Sequence, residues 1–333
     1  MLHDLQENGC AMFDISGRTS KPDFKFDFDS LVPATDGLTE ADVQAISEVE
    51  SALQERQGDD AMPINIFNDL LRYFLDQRDF RSAFWIVMQA NTGLRYSDVS
   101  KFRRIDLLNE HNQFRESILN SEQKTGKKRV NFINDAIKMI TLIYLWNTPE
   151  IKPLDLMIVA NPNSTNKGYE KETYLNAKGK KRCLKINGEF VYKLDENGHK
   201  IPTPLSLSRA STIMRDALVN GLGVSIRNDE RTKNNANAYL KLASHSLRKT
   251  YVDAVINQFV RDFDANTAYA HTAAIEFLQY DLNHSSRKMS YHYVGDFIAT
   301  KKKTNLALNV GIKILLPYFE AEREKFMRTQ NML

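Results

Sequence analysis

From Pro63 onward the apolar residues recur at helical spacing in segment after segment, and this period limits the chain to a mainly helical fold. It predicts helices over Ile64 to Leu75, Phe80 to Ala90, Leu94 to Phe102, Asp135 to Leu145, Leu207 to Val219, Ser246 to Phe259, Thr267 to Tyr280 and Leu306 to Met327. Pro63 suits a helix start because its fixed φ is already helical and its missing N–H is not needed there. Strand signals are confined to two places. Arg115 to Gln123 and Lys128 to Phe132 flank a tight Lys124-Thr125-Gly126-Lys127 turn. In residues 162–203, Asn187-Gly188 and Asn197-Gly198 are hairpin turns flanking the alternating Phe190, Tyr192 and Leu194, which predicts a two- or three-stranded excursion. The expected fold is mainly α with a small antiparallel β-sheet (α+β) and a β-rich insertion at about 162–203.

Charge divides the chain in a different place. Residues 1–60 hold 14 Asp and Glu against 4 Lys and Arg, whereas 61–333 hold 28 acidic and 41 basic residues. A surplus of about 13 positive charges makes the larger part the candidate polyanion binder. Residues 1–60 carry one amphipathic stripe, Ala45, Ile46, Val49 and Leu53, after a Thr39 helix start, and otherwise read as a partly disordered acidic segment. Its charge is opposite to that of the rest, so we expect it to cover the basic face when no polyanion is bound. The two expected units are therefore 1–60 and 61–333.

Cys10 and Cys183 are the two cysteines, in no metal-like spacing, and no disulfide framework or zinc site is expected. Apolar runs such as Ala83 to Met88 fall far short of the ~20 residues that cross a bilayer. A cytoplasmic protein is the expectation.

Four local patterns follow one another along the larger part. They are Thr92-Gly93-Leu94-Arg95-Tyr96-Ser97-Asp98, the Lys124 turn, His245-Ser246-Leu247-Arg248, and Leu282-Asn283-His284-Ser285-Ser286 with Tyr293 nine residues beyond His284. Taken singly, each has an ordinary structural explanation. Arg95 can be a surface salt-bridge partner, His245 a satisfied helix histidine, Lys124 a hydrated turn residue, and Tyr293 a packed ring. Six residues of these types, in this order and at these spacings, are harder to explain that way. Over about 62–330 the chain resembles the tyrosine recombinase family, also called the phage integrases.

The resemblance implies a catalytic domain that cuts and rejoins DNA through a 3′-phosphotyrosyl intermediate, with Tyr293 as nucleophile. Arg95 and Arg248 would clamp the phosphate, since planar guanidiniums bind two oxygens and stay charged at working pH. His245 would accept the tyrosine proton or bond the phosphate, His284 would donate to a phosphoryl oxygen, and Lys124 would protonate the leaving 5′ oxygen. Asp98 would orient its neighbours. The phosphotyrosyl bond conserves the energy of the cut strand, so no cofactor, ATP or metal is expected. The implied partner is double-stranded DNA, bound by a homo-tetramer assembled through the C-terminal helix, with an accessory bending or directionality factor and no membrane.

The pattern departs from the family's at Asn283, where Gly is usual, and at Asp98, where Glu is commoner. Ahead of Pro63 there is one convincing helix rather than a full DNA-clamping domain. Tyr291 is a rival nucleophile two residues from Tyr293, although on a helix the two would face different ways. The same residue set serves type IB topoisomerases and telomere resolvases, and a DNA-binding regulator that lost catalysis is the alternative outside enzymes.

Overall fold

The computed structural model describes residues 59–331 except 122–125, 127, 161–167, 177, 196–197, 228, 232–239, 263–266 and 283–296. The expected helix at 39–53, Lys124, His284, Tyr291 and Tyr293 lie outside the described residues. The rest is mainly helical with small antiparallel ladders.

Helix α1 (Ile64–Asp76) follows Pro63 and buries one face through Phe67, Leu70, Leu71, Phe74 and Leu75. Asp79 caps α2 (Phe80–Thr92) by accepting from the Ser82 N–H at 3.1 Å. Helix α2 is buried on every side from Ser82 to Thr92, as a helix without a polar face must be. It is the hub, packed against α1, α5 (Asp135–Asn147) and α7 (Ser244–Asp262). At ~1.5–3 kcal/mol for each large apolar side chain removed from water, Phe84, Trp85, Ile86, Val87 and Met88 make it the energetic centre of the domain.

The helix expected over Leu94 to Phe102 is shorter, because the chain turns at Gly93 and resumes only in α3 (Tyr96–Val99); α4 (Arg104–Leu107) follows. Strands β1 (Ser117–Ser121) and β2 (Lys128–Phe132) pair antiparallel on either side of residues 122–127. Asn134 caps α5 by accepting from the Ile137 N–H at 3.0 Å.

The insertion is a chain of small ladders. Strands β3 (Thr173–Leu175) and β4 (Lys181–Cys183) form one hairpin, and β5 (Lys185–Ile186) and β6 (Glu189–Phe190) form the next. Asn187 and Gly188 between the latter have φ of 51° and 86°, the left-handed pair that a two-residue hairpin demands. The Lys171 and Lys185 ammonium groups lie over the Phe190 ring at 3.7 and 4.5 Å. Between insertion and α2 is a cleft of about 600 Å³ lined in part by Arg78, Arg81, Tyr144, Asp155 and Tyr169; it contains none of the candidate catalytic residues.

Helix α6 (Leu207–Asp216) widens into a π-turn over Ala217–Gly221, and α7 and α8 (Thr267–Asp281) follow. The single helix expected over Leu306 to Met327 is two, α9 (Phe297–Leu308) and α10 (Ile312–Asn331), because Asn309 and Gly311 take φ of 39° and 85° between them. Helix α10 packs on its own chain. Trp146 of α5 meets Phe319 and Phe326 at ring separations of 5.3 and 5.4 Å, and Tyr318 donates to Asp76. Among the described residues no helix is long and apolar enough to cross a membrane.

Candidate active site

The site is organised by the turn that ends α2. Gly93 has φ 62° and ψ 16°, a left-handed helix cap, and its N–H donates to the Gln89 carbonyl. Thr92 Oγ1 donates to the Met88 carbonyl at 2.6 Å and accepts from the Leu94 N–H at 3.3 Å. A Cβ added at Gly93 would lie 2.3 Å from Cδ1 of Tyr251, so this position needs glycine both for its backbone and for the ring against it. The Thr-Gly pair thus delivers Arg95 in extended conformation (φ −69°, ψ 151°) at the start of α3, with Asp98 buried one turn on and its N–H bonded to the Arg95 carbonyl at 2.9 Å.

Helix α7 brings the second pair. The Ala243 N–H donates to Ser246 Oγ at 3.0 Å and the Ser246 N–H to the Ala243 carbonyl, which fixes where the helix begins. His245 and Arg248 are one turn apart. The buried Arg248 donates from Nη1 to the Gly93 carbonyl at 2.6 Å and from Nη2 to the Leu282 carbonyl at 3.3 Å. One guanidinium therefore ties together the turn before Arg95 and the end of α8, from which the chain runs on towards His284.

His245 reaches solvent, yet its imidazole titrates below the usual 6.5. Burial of the ring is the main cause and Arg248 the next; Asp59 opposes them, and Lys249 and Arg95 add to the depression. Both arginines thus act on one imidazole. We expect that ring to be neutral at pH 7 and able to accept a proton. The unfolded chain protonates this residue at higher pH than the folded chain does, so its contribution to stability is complete above about 6.5 and is lost as pH falls from there towards the folded value. Histidine NMR across that range is the check, and a His245 midpoint at or above 6.5 would contradict it.

The end of the acidic segment lies beside this pair. Asp60 exchanges backbone and side-chain hydrogen bonds with Lys241, Lys249 donates to the Asp59 carbonyl, and Thr250 donates to that of Met62 at 3.0 Å.

Beneath the site is a buried ionic cluster that sequence reasoning missed. Asp281 Oδ2 accepts from Arg129 Nη2 at 2.9 Å and from the Tyr251 hydroxyl at 2.8 Å, and Oδ1 pairs with Lys301. Burial alone would raise the Asp281 carboxyl; the Arg129 guanidinium and Lys301 ammonium overcome it and hold the carboxyl below its usual range, ionised. Tyr251, buried beside that carboxylate, is pushed well above the ordinary tyrosine value. One clue was available: Asp281 follows Phe277 and Leu278 at helical spacing, and a carboxylate on an apolar stripe needs a partner.

Of the predicted residues, Arg248 is bonded to the Gly93 carbonyl two residues before Arg95, both arginines act electrostatically on His245, and Asp98 is buried one turn after Arg95. Among the described residues no group of three or more His, Cys, Asp or Glu is gathered as a metal site requires. Comparison with protein families, with characterised proteins and with solved structures finds no match.

Proposed function

We propose that this chain is a DNA strand transferase of the tyrosine recombinase type, with Arg95, Lys124, His245, Arg248, His284 and Tyr293 as its catalytic set and Asp98 in support. The observation that carries the reading is the convergence of Arg95, His245 and Arg248, drawn from two segments far apart in sequence, at the Gly93 turn. Two guanidiniums beside a neutral imidazole suit a phosphodiester. The cations offset charge that builds on the non-bridging oxygens, and the imidazole can take a proton. Three further features support it. Lys124 lies in sequence between the paired strands β1 and β2, the Leu282 carbonyl held by Arg248 is two residues before His284, and α9 starts four residues after Tyr293.

In the proposed step the Tyr293 oxygen attacks phosphorus and its proton passes to His245. The bond to the 5′ oxygen breaks, that oxygen takes a proton from Lys124, and a 3′-phosphotyrosyl ester remains. Attack by another strand's 5′ hydroxyl reverses every transfer, so no external energy enters. The bound duplex would lie across the basic surface, with the lysines of β4 and β5 near its backbone. Assembly as a tetramer through α10 would replace that helix's contacts with Trp146 by the same contacts from a neighbouring protomer.

The test is incubation of the protein with nicked duplexes of randomised sequence, which trap a cleaved strand by losing the short fragment beyond the nick. A denaturation-resistant protein–DNA adduct is expected. Binding without an adduct would favour the inactive regulator, and relaxation of supercoiled plasmids of any sequence would favour a type IB topoisomerase.

A further inference from the structure

We propose that Asp281 is the positioning residue of the Arg248 clamp, holding the turn before Arg95, the end of α8 and helix α7 in register through Arg129, Lys301 and Tyr251.

The geometry is a double bracket. Arg248 bridges the Gly93 and Leu282 carbonyls at 2.6 and 3.3 Å. One residue earlier on each segment, Arg129 Nη2 bridges the Thr92 carbonyl at 3.1 Å and the Asp281 carboxylate at 2.9 Å. Two guanidiniums thus cross-link the same two segments, Arg248 through backbone carbonyls on both and Arg129 through one carbonyl and one carboxylate. The Asp281 carboxylate also receives the hydroxyl of Tyr251, one turn beyond Arg248 on α7, and the ring of Tyr251 is the one lying against Gly93. Asn305 of α9 donates to that hydroxyl at 3.4 Å, and Lys301 of the same helix completes the cluster.

Each of these elements leads to a candidate catalytic residue. Strand β2 starts four residues after Lys124, α7 carries His245 and Arg248, α8 ends three residues before His284, and α9 starts four after Tyr293. Asp281, Arg129, Lys301 and Arg248 are each at least 95% buried. Water therefore cannot take over for a missing partner, and without the carboxylate Arg129 and Lys301 would repel each other and pull the bracket apart. The consequence for catalysis rests on the strand-transfer reading; the claim about Arg248 does not.

The test reads Arg248 through its neighbour. His245 is flanked by Arg248, Lys249, Arg95 and Asp59. Its NMR titration, assigned with His245→Gln, is compared in the full-length wild type, Asp281→Asn and Tyr251→Phe. Removing a negative charge without moving anything would lower the His245 midpoint. Displacing Arg248 removes a cation from beside the ring and raises it, so the two accounts differ in sign. We expect a rise in Asp281→Asn. If that variant does not fold, Tyr251→Phe decides, because it changes no charge and any rise there reports movement of Arg248. A fall or an unchanged midpoint in Asp281→Asn overturns the proposal, as does an unchanged midpoint in Tyr251→Phe where Asp281→Asn does not fold. In single-turnover adduct formation the same variants should lose ~10–100-fold, the usual effect of removing a group that orients a ligating side chain. If wild type forms no adduct, the strand-transfer reading falls while the titration still decides the role of Asp281.

Discussion

Tyr293→Phe is expected to abolish the covalent protein–DNA adduct while leaving duplex binding nearly intact. The phenyl ring keeps the shape and loses the one oxygen that can become esterified, so the chemical step has no slower version to fall back on. Binding should change by less than about tenfold, since one hydroxyl contributes at most ~1.5 kcal/mol net to a hydrogen-bonded contact. Tyr291→Phe is the internal control and should form adduct at the wild-type rate. Denaturing gels on trapped, labelled duplex separate these outcomes. Loss of adduct in Tyr291→Phe alone would move the nucleophile by two residues and leave the rest of the site standing.

Arg248→Ala should slow adduct formation by ~10³-fold, the upper range for removing one preorganised donor from a charge that develops in the transition state. It should also destabilise the fold. The Gly93 and Leu282 carbonyls, both on buried residues, would each lose a charged donor, at a cost of ~1–3 kcal/mol apiece. Urea unfolding beside single-turnover kinetics separates the two effects, and the rate comparison is made where the variant is fully folded. Arg248→Lys retains the charge but not the planar fork that spans two carbonyls, so it should recover only part of either loss. A folded Arg248→Ala variant with wild-type adduct kinetics would remove Arg248 from the clamp.

Much of the helical framework was legible because its signals are local. Pro63 sets the start of α1, the apolar period runs through α1, α2, α5 and α7, and Asn187-Gly188 makes the turn its backbone angles require. Boundaries set by distant contacts were less legible. The segment after Gly93 reads as helix from Leu94, yet the chain stays extended through Arg95, so Arg95 precedes α3 rather than wrapping into it. The C-terminal apolar run reads as one helix, but left-handed backbone at Asn309 and Gly311 breaks it so that α10 can fold back on Trp146.

Strand β2 shows the division most clearly. Its alternation sets Val130 and Phe132 on one face and Arg129 and Asn131 on the other, and apolarity alone would bury the first face. In the structure Arg129 and Asn131 are buried, opposite Asn120 and Ile118 of β1; on the other face Phe132 is buried as well, while Val130 remains partly exposed.

The sequence by itself determined the helical class of the described domain, its Asn187-Gly188 turn and the order of residue types that suggests phosphoryl transfer, because periods, caps and turn dihedrals depend on neighbours within a few residues. Which charges could be buried was decided only by the tertiary structure. A guanidinium can leave water only where acceptors take water's place: Arg248 finds two backbone carbonyls, and Arg129 finds a carboxylate on Asp281, 152 residues away.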